Sequence, residues 1–132
     1  MKTLGIGVDI VQNSRIRKSI TNEKFLLRIF TKEEINKSKK TKNKIAFFSK
    51  RFAAKEAFSK ALGTGFRNTL NFKDISIINN KHGKPSIKIN NKLHNLIYKK
   101  FKTKKINVLL SISDESKHSI AFVIIEKINE YR

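Results

Sequence analysis

From Ile45 to Leu62 the chain carries no glycine or proline, apolar residues recur at helical spacing, and Gly63 and Gly65 follow at once. The pattern predicts one long helix with a glycine stop. On a wheel of about 100° per residue, Phe47, Ala54, Ala57, Phe58 and Ala61 share one side, the expected core face. Glu56 falls nearly opposite, between Phe52 and Lys60. One reading pairs Glu56 with Lys60, four residues on, as a solvated ion pair worth about 0.3–0.5 kcal/mol. The helix alone favours this pairing, while Phe52, Ser59 and Gly63 count against it and open a second reading. They make this face unlike an ordinary charged surface, so a ligand or another subunit fits against it.

The remaining elements are shorter. Residues 3–11 alternate as a strand, with Leu4, Ile6, Val8 and Ile10 on one face and Gly5, Gly7 and Asp9 on the other. Residues 12–30 suggest one or two short basic helices. Thr31-Lys32-Glu33-Glu34 has the capping-box pattern and should open another. Lys39–Lys44 reads as a polar loop. DISIIN and SIKIN read as strands joined by a turn at Gly83 and Pro85. Asn91–Lys102 has amphipathic helical spacing. VLLSIS and HSIAFVIIE read as an antiparallel pair around DESK. Helices and strands do not alternate regularly. The expected class is therefore α+β, a mostly antiparallel sheet packed with one long helix and several short ones, in one domain over residues 1–132.

Composition narrows the partners. Thirty Lys and Arg stand against ten Asp and Glu, a formal charge of +20. Such a field attracts polyanions, whether nucleic acid, acidic membrane, phosphorylated substrate or acidic protein. Part of the excess reflects the heavy use of Lys, Asn and Ile throughout. The absence of cysteine excludes disulfides and thiolate chemistry and fits a reducing cytoplasm. No apolar run approaches the roughly 20 residues of a membrane span. Asp9 breaks the N-terminal apolar run, so it does not resemble a signal peptide.

Two acids stand out in this basic chain. Aspartate is depleted in strands, yet Asp9 sits mid-strand beside two glycines that leave room for close approach. It serves either there or as a cap for the following helix. Taken with Glu56, it permits a Mg²⁺–diphosphate site, because Mg²⁺ is commonly held by one or two carboxylates plus phosphate oxygens and water. Lys60, Arg51 and Lys55 are expected nearby, as counter-charges for phosphate. Spacing alone does not bring Asp9 and Glu56 together.

GIGVDIV, RFAAKEAFSKALGTG, HGKP and SISDESKHSIAFVIIE, in this order over nearly the whole chain, resemble the bacterial holo-acyl-carrier-protein synthases, the small trimeric class of 4′-phosphopantetheinyl transferases. The resemblance implies transfer of the phosphopantetheine arm of coenzyme A to a serine of apo-acyl carrier protein, in fatty acid biosynthesis. It implies Asp9 and Glu56 as Mg²⁺ ligands, with Lys60 near the phosphates and the attacking serine. It implies Arg51, Gly63, Thr64 and Gly65 along the nucleotide cleft, and Gly83, Lys84 and Pro85 near the adenosine. Arg15, Lys24, Phe25 and Arg28 are implied to dock the acidic carrier protein. Sites of this family lie between protomers of a trimer.

The chain departs from the pattern at Asp114, where many relatives carry histidine, although others carry aspartate. The catalytic residues that the resemblance implies are Glu56, Lys60 and Asp114, with His118 as a nearby substitute or a plain loop residue. The general base is left between these, a bound water and Glu56 itself. A nucleic-acid-binding module would explain the charge but not Asp9 and Glu56, which repel phosphate without a metal. A Mg²⁺-dependent nuclease would use more carboxylates than can be placed.

Overall fold

The computed structural model describes residues 2–66 and 70–129. Strand β1 (Lys2–Gln12) pairs antiparallel with β5 (His118–Lys127), which pairs antiparallel with β4 (Ile106–Asp114), giving the order β1-β5-β4. β2 (Ser76–Asn79) and β3 (Pro85–Lys88) form a separate antiparallel ribbon. Helices α1 (Asn13–Ser19), α2 (Glu23–Ile29) and α3 (Lys32–Ser38) precede the long helix α4 (Lys44–Leu62), and α5 (Asn91–Phe101) joins β3 to β4. This is the expected α+β arrangement. One short 3₁₀ turn, Phe72–Asp74, was not anticipated. Pro85 lies inside the hairpin ladder opposite Asn79, as the first residue of β3 rather than in the turn. A first strand position tolerates the missing N–H.

α4 lies across the sheet, and the glycine face of β1 meets it. A Cβ on Gly5 would fall 1.9 Å from the Ala61 carbonyl oxygen, and one on Gly7 would fall 2.0 Å from that of Ala57. Strand and helix backbones therefore touch, as only glycine permits. As β1 advances by two residues, its contact moves back one turn along α4. The next residue of that face is Asp9, which is thereby delivered toward the turn that carries Glu56. Ile6, Val8 and Ile10 point away from α4 and are exposed.

The single core face expected for α4 is too narrow. Phe47, Ala54, Ala57, Phe58 and Ala61 are buried, and so are Phe48, Arg51, Ala53, Lys55, Ser59 and Leu62. The sheet covers one side, while α1, α3 and β2 close in from others. A central helix reads as amphipathic only when one side meets water. Its ends are fixed locally. Asn43 Oδ1 accepts from Ala46 N–H at 3.0 Å, and Gly63 closes the helix at φ 87°, where glycine is favoured.

Thr31 and Glu34 form the anticipated capping box. Glu34 does more than cap. Its Oε1 also accepts from Lys55 Nζ at 2.8 Å, and its Oε2 from Ile77 N–H at 3.0 Å. Lys55 completes its shell with the Phe72 and Ile75 carbonyls. This buried knot ties α3, α4 and the start of β2 together.

Candidate active site

Asp9 from β1 meets Glu56 and Lys60 from α4 in a hollow of about 350 Å³, also lined by Arg15, Phe25 and Phe52. Lys60 Nζ donates to Asp9 Oδ1 at 3.0 Å and to the Val8 carbonyl at 3.1 Å. The Glu56–Lys60 pair permitted by the sequence is therefore not formed. The strand supplies a better-placed acceptor, because the Gly5 and Gly7 contacts hold it against the helix. Asp9 does not cap α1, whose N-cap is Gln12 without a side-chain bond.

Glu56 is half-buried and carries no ion-pair partner of its own among the described residues. Burial pushes its carboxyl above the usual range, the Asp9 charge pushes it the same way, and Lys60 opposes both. The hollow thus contains two carboxylates, and the Asp9 charge disfavours that of Glu56. One lysine satisfies one of them. Among the described residues no group of three or more His, Cys, Asp and Glu could hold a metal. Two carboxylates suit a hard cation whose remaining ligands come from substrate and water.

A second hollow, of about 450 Å³, opens beside the N-terminal half of α4, where Arg51 is joined by Lys37, Lys50, Lys81 and Gly83 and, among the described residues, no carboxylate lines the wall. Arg51 is only 5% exposed, with its guanidinium carbon 3.9 Å from the Phe47 ring centroid. Burial disfavours its charge, which Glu34 partly restores. Its Nη2 donates to Asn79 Oδ1 at 2.6 Å, whereas its Nε has no partner. Gly83 turns at φ 83°, in the region that favours glycine. Lys84 is exposed and Pro85 half-buried in β3. Gly63, Thr64 and Gly65 sit at the far end of α4 and line neither hollow, with Thr64 Oγ1 donating to the Gly65 carbonyl at 3.1 Å.

Arg15 lies on α1, while Lys24, Phe25 and Arg28 lie on α2 and share a shallow hollow with Lys18. Phe25 belongs to this surface and to the hollow of Asp9 and Glu56, with its ring 6.2 Å from that of Phe52. The basic helices therefore run continuously into the acidic pair.

A family model described as the 4′-phosphopantetheinyl transferase superfamily matches residues 5–123. The chain belongs to this superfamily. It is 58% identical over 127 residues to the holo-(acyl-carrier-protein) synthase of Pelagibacter ubique, covering 96% of this chain and 99% of that protein. It is 47% identical to the synthase of Ehrlichia chaffeensis, covering 92% and 95%. Among solved structures it resembles the synthase from Neisseria meningitidis, with TM-score 0.83, 38% identity and coverage of 95% and 99%. It also resembles the synthase from Bacillus anthracis in complex with CoA (3′,5′-ADP), with TM-score 0.80, 35% identity and coverage of 97% and 100%.

The transferase does not gather all its sequence-derived candidates in one hollow. Asp114 ends β4 and lines a separate depression with Asn13, Arg17 and Glu115, apart from Glu56. His118 is bound to its own hairpin, Nδ1 lying 2.9 Å from Glu115 Oε1. Lys55, expected as a phosphate counter-charge, is fully buried on Glu34 and unavailable to a ligand. Its neighbour Glu56 faces the hollow because consecutive helical residues point about 100° apart. Glu34 and Asn79 are the contributors that the sequence reading passed over. The capping-box glutamate gave no sign of its second partner, which lies 21 residues away.

Proposed function

We propose that this transferase is a holo-(acyl-carrier-protein) synthase that moves the 4′-phosphopantetheine arm of coenzyme A onto a serine of apo-acyl carrier protein, releasing adenosine 3′,5′-bisphosphate. The observation that carries the proposal is the hollow shared by Asp9, Glu56 and Lys60, which opens onto the basic helices α1 and α2. A polyanion-binding surface alone has no use for the two acids.

Asp9 and Glu56 would hold Mg²⁺, which when bound offsets charge on the diphosphate oxygens of coenzyme A. The penalty that burial and the Asp9 charge place on an ionised Glu56 supports a cation there. Lys60 leaves Asp9 to serve the phosphates and the serine hydroxyl that attacks the β-phosphorus. Arg51 and the Gly83–Pro85 segment accept the adenosine end. Gly63, Thr64, Gly65 and Asp114, which line neither hollow, would serve a site completed between protomers. Arg15, Lys24, Phe25 and Arg28 dock the acidic carrier.

The exposed sheet face supports a trimer. Ile6, Val8 and Ile10 of β1 lie beside Ile120 and Phe122 of β5, all 40–62% exposed. A contiguous apolar face of this kind marks an interface. The chain works as one domain, in fatty acid biosynthesis in the cytoplasm. No helix among the described residues is long and apolar enough to cross a membrane.

The test is to mix the protein with apo-acyl carrier protein, coenzyme A and Mg²⁺ and to read the carrier by mass spectrometry. The phosphopantetheine adduct is expected, and EDTA should abolish it. No adduct, or an adduct indifferent to EDTA, overturns the reading.

A further inference from the structure

The basic hollow has a built geometry, and one uncharged side chain builds it. Asn79 is the last residue of β2 and is half-buried. Its Oδ1 accepts from Arg51 Nη2 at 2.6 Å and from Lys37 Nζ at 3.4 Å. Its Nδ2 donates to the Gly83 carbonyl at 2.9 Å. One amide thus joins three chain segments, namely α3 through Lys37, α4 through Arg51 and the β2–β3 turn through Gly83. The next residue pins the same turn. Asn80 Oδ1 accepts from His82 N–H and Lys84 N–H at 2.8 and 2.9 Å.

Arg51 would otherwise have few constraints at its tip. Phe47 stacks under the guanidinium but does not fix its rotation, and Nε has no partner. A long cationic side chain loses up to about 2 kcal/mol of rotamer freedom on being fixed. If that ordering happens on ligand binding, it weakens the affinity; if it happens beforehand, it does not. The Asn79 bond fixes it beforehand. An asparagine does this without placing a negative charge in an anion-binding wall, which an aspartate would do.

We infer that Asn79 is a positioning residue for nucleotide recognition: it holds the Arg51 guanidinium and the Gly83 turn in one geometry, ready for the anionic adenosine end of coenzyme A. The inference rests on the assignment of this hollow to the nucleotide and adds the residue that shapes it. Asn79 acts through Arg51 and the turn.

Isothermal titration with adenosine 3′,5′-bisphosphate tests it on the full chain, for wild type, Asn79→Ala, Arg51→Ala and the double variant. Asn79→Ala is expected to weaken binding about tenfold, the order of one lost bond to a charged group. In turnover, KM for coenzyme A rises far more than kcat falls, and KM for the carrier stays put. On the Arg51→Ala background, Asn79→Ala adds little, because the two side chains act as one unit. Thermal melting identifies a variant that fails to fold. Asn79→Ser, smaller but polar, then takes the place of the alanine. Wild-type binding unchanged by Arg51→Ala overturns the nucleotide assignment, and this inference with it. Binding lost in Arg51→Ala but retained in Asn79→Ala, or strictly additive losses, overturns the Asn79 role and leaves the assignment standing.

Discussion

Lys60 Nζ lies 3.0 Å from Asp9 Oδ1, so the cation of α4 neutralises the acid of β1 and not Glu56, one turn back on its own helix. Glu56 is left half-buried without an ion pair of its own, and Lys60 offsets its charge only in part. That arrangement gives the hollow its affinity for a second cation.

Glu56→Gln should lower turnover by about a hundredfold or more, the scale seen when one electrostatic contributor to a reacting centre is removed. The fold should persist by circular dichroism. Its stability effect has a definite sign. The folded-state carboxyl is raised above its unfolded value. Its contribution is therefore fully present below the ordinary glutamate range, near pH 4.3, and is lost as pH rises through the raised value. In the absence of divalent ions, Glu56→Gln should melt above wild type at pH 7, with the gap closing at acid pH. A variant melting below wild type at neutral pH would contradict this.

Gly7→Ala should destabilise the chain by about 3 kcal/mol, the upper range for overpacking, because its Cβ would meet the Ala57 carbonyl oxygen of a buried helix. Urea denaturation measures it. Activity should fall as well, since displacing β1 moves Asp9 away from Glu56. Wild-type stability would show that strand and helix separate easily.

Lys55→Met should cost about 3–5 kcal/mol by stranding the Glu34 carboxylate in the core. Adding Glu34→Gln should return part of the loss, since neither charge is then left alone. A double variant that is less stable than the single one would argue that Glu34 acts chiefly through Thr31 and Ile77.

Arg15→Glu should raise KM for the carrier protein about tenfold while leaving coenzyme A binding unchanged, because Arg15 is exposed on α1 at the rim of the hollow. Surface plasmon resonance with immobilised apo-carrier separates the two effects. Equal loss of both would count against a docking role for α1.

If the exposed sheet face joins three chains, as proposed, Phe122→Asp should leave a monomer in light scattering, since it places a charge in the middle of that apolar face. If residues of neighbouring chains complete each site, transfer activity falls with the trimer. A monomeric wild type would refute the assembly.

The long helix, its glycine stop, the capping box and the C-terminal hairpin were legible because each depends on contacts within a few residues. So was the unusual character of Asp9 and Glu56, since any mid-strand aspartate in so basic a chain needs a reason. Other features depended on contacts between distant segments. The wheel could not reveal that α4 is covered on nearly every side, because coverage depends on elements that come from elsewhere in the chain. Nor could it show that Lys55 turns inward to Glu34 while Lys60 reaches out to Asp9, 51 residues earlier. Local spacing favoured a Glu56–Lys60 pair, and tertiary packing supplied a competitor that won. The residue types and their order thus set the chemistry available to this protein. Which charges meet was decided by two glycines that let β1 press against α4, a contact that exists only once the chain has closed.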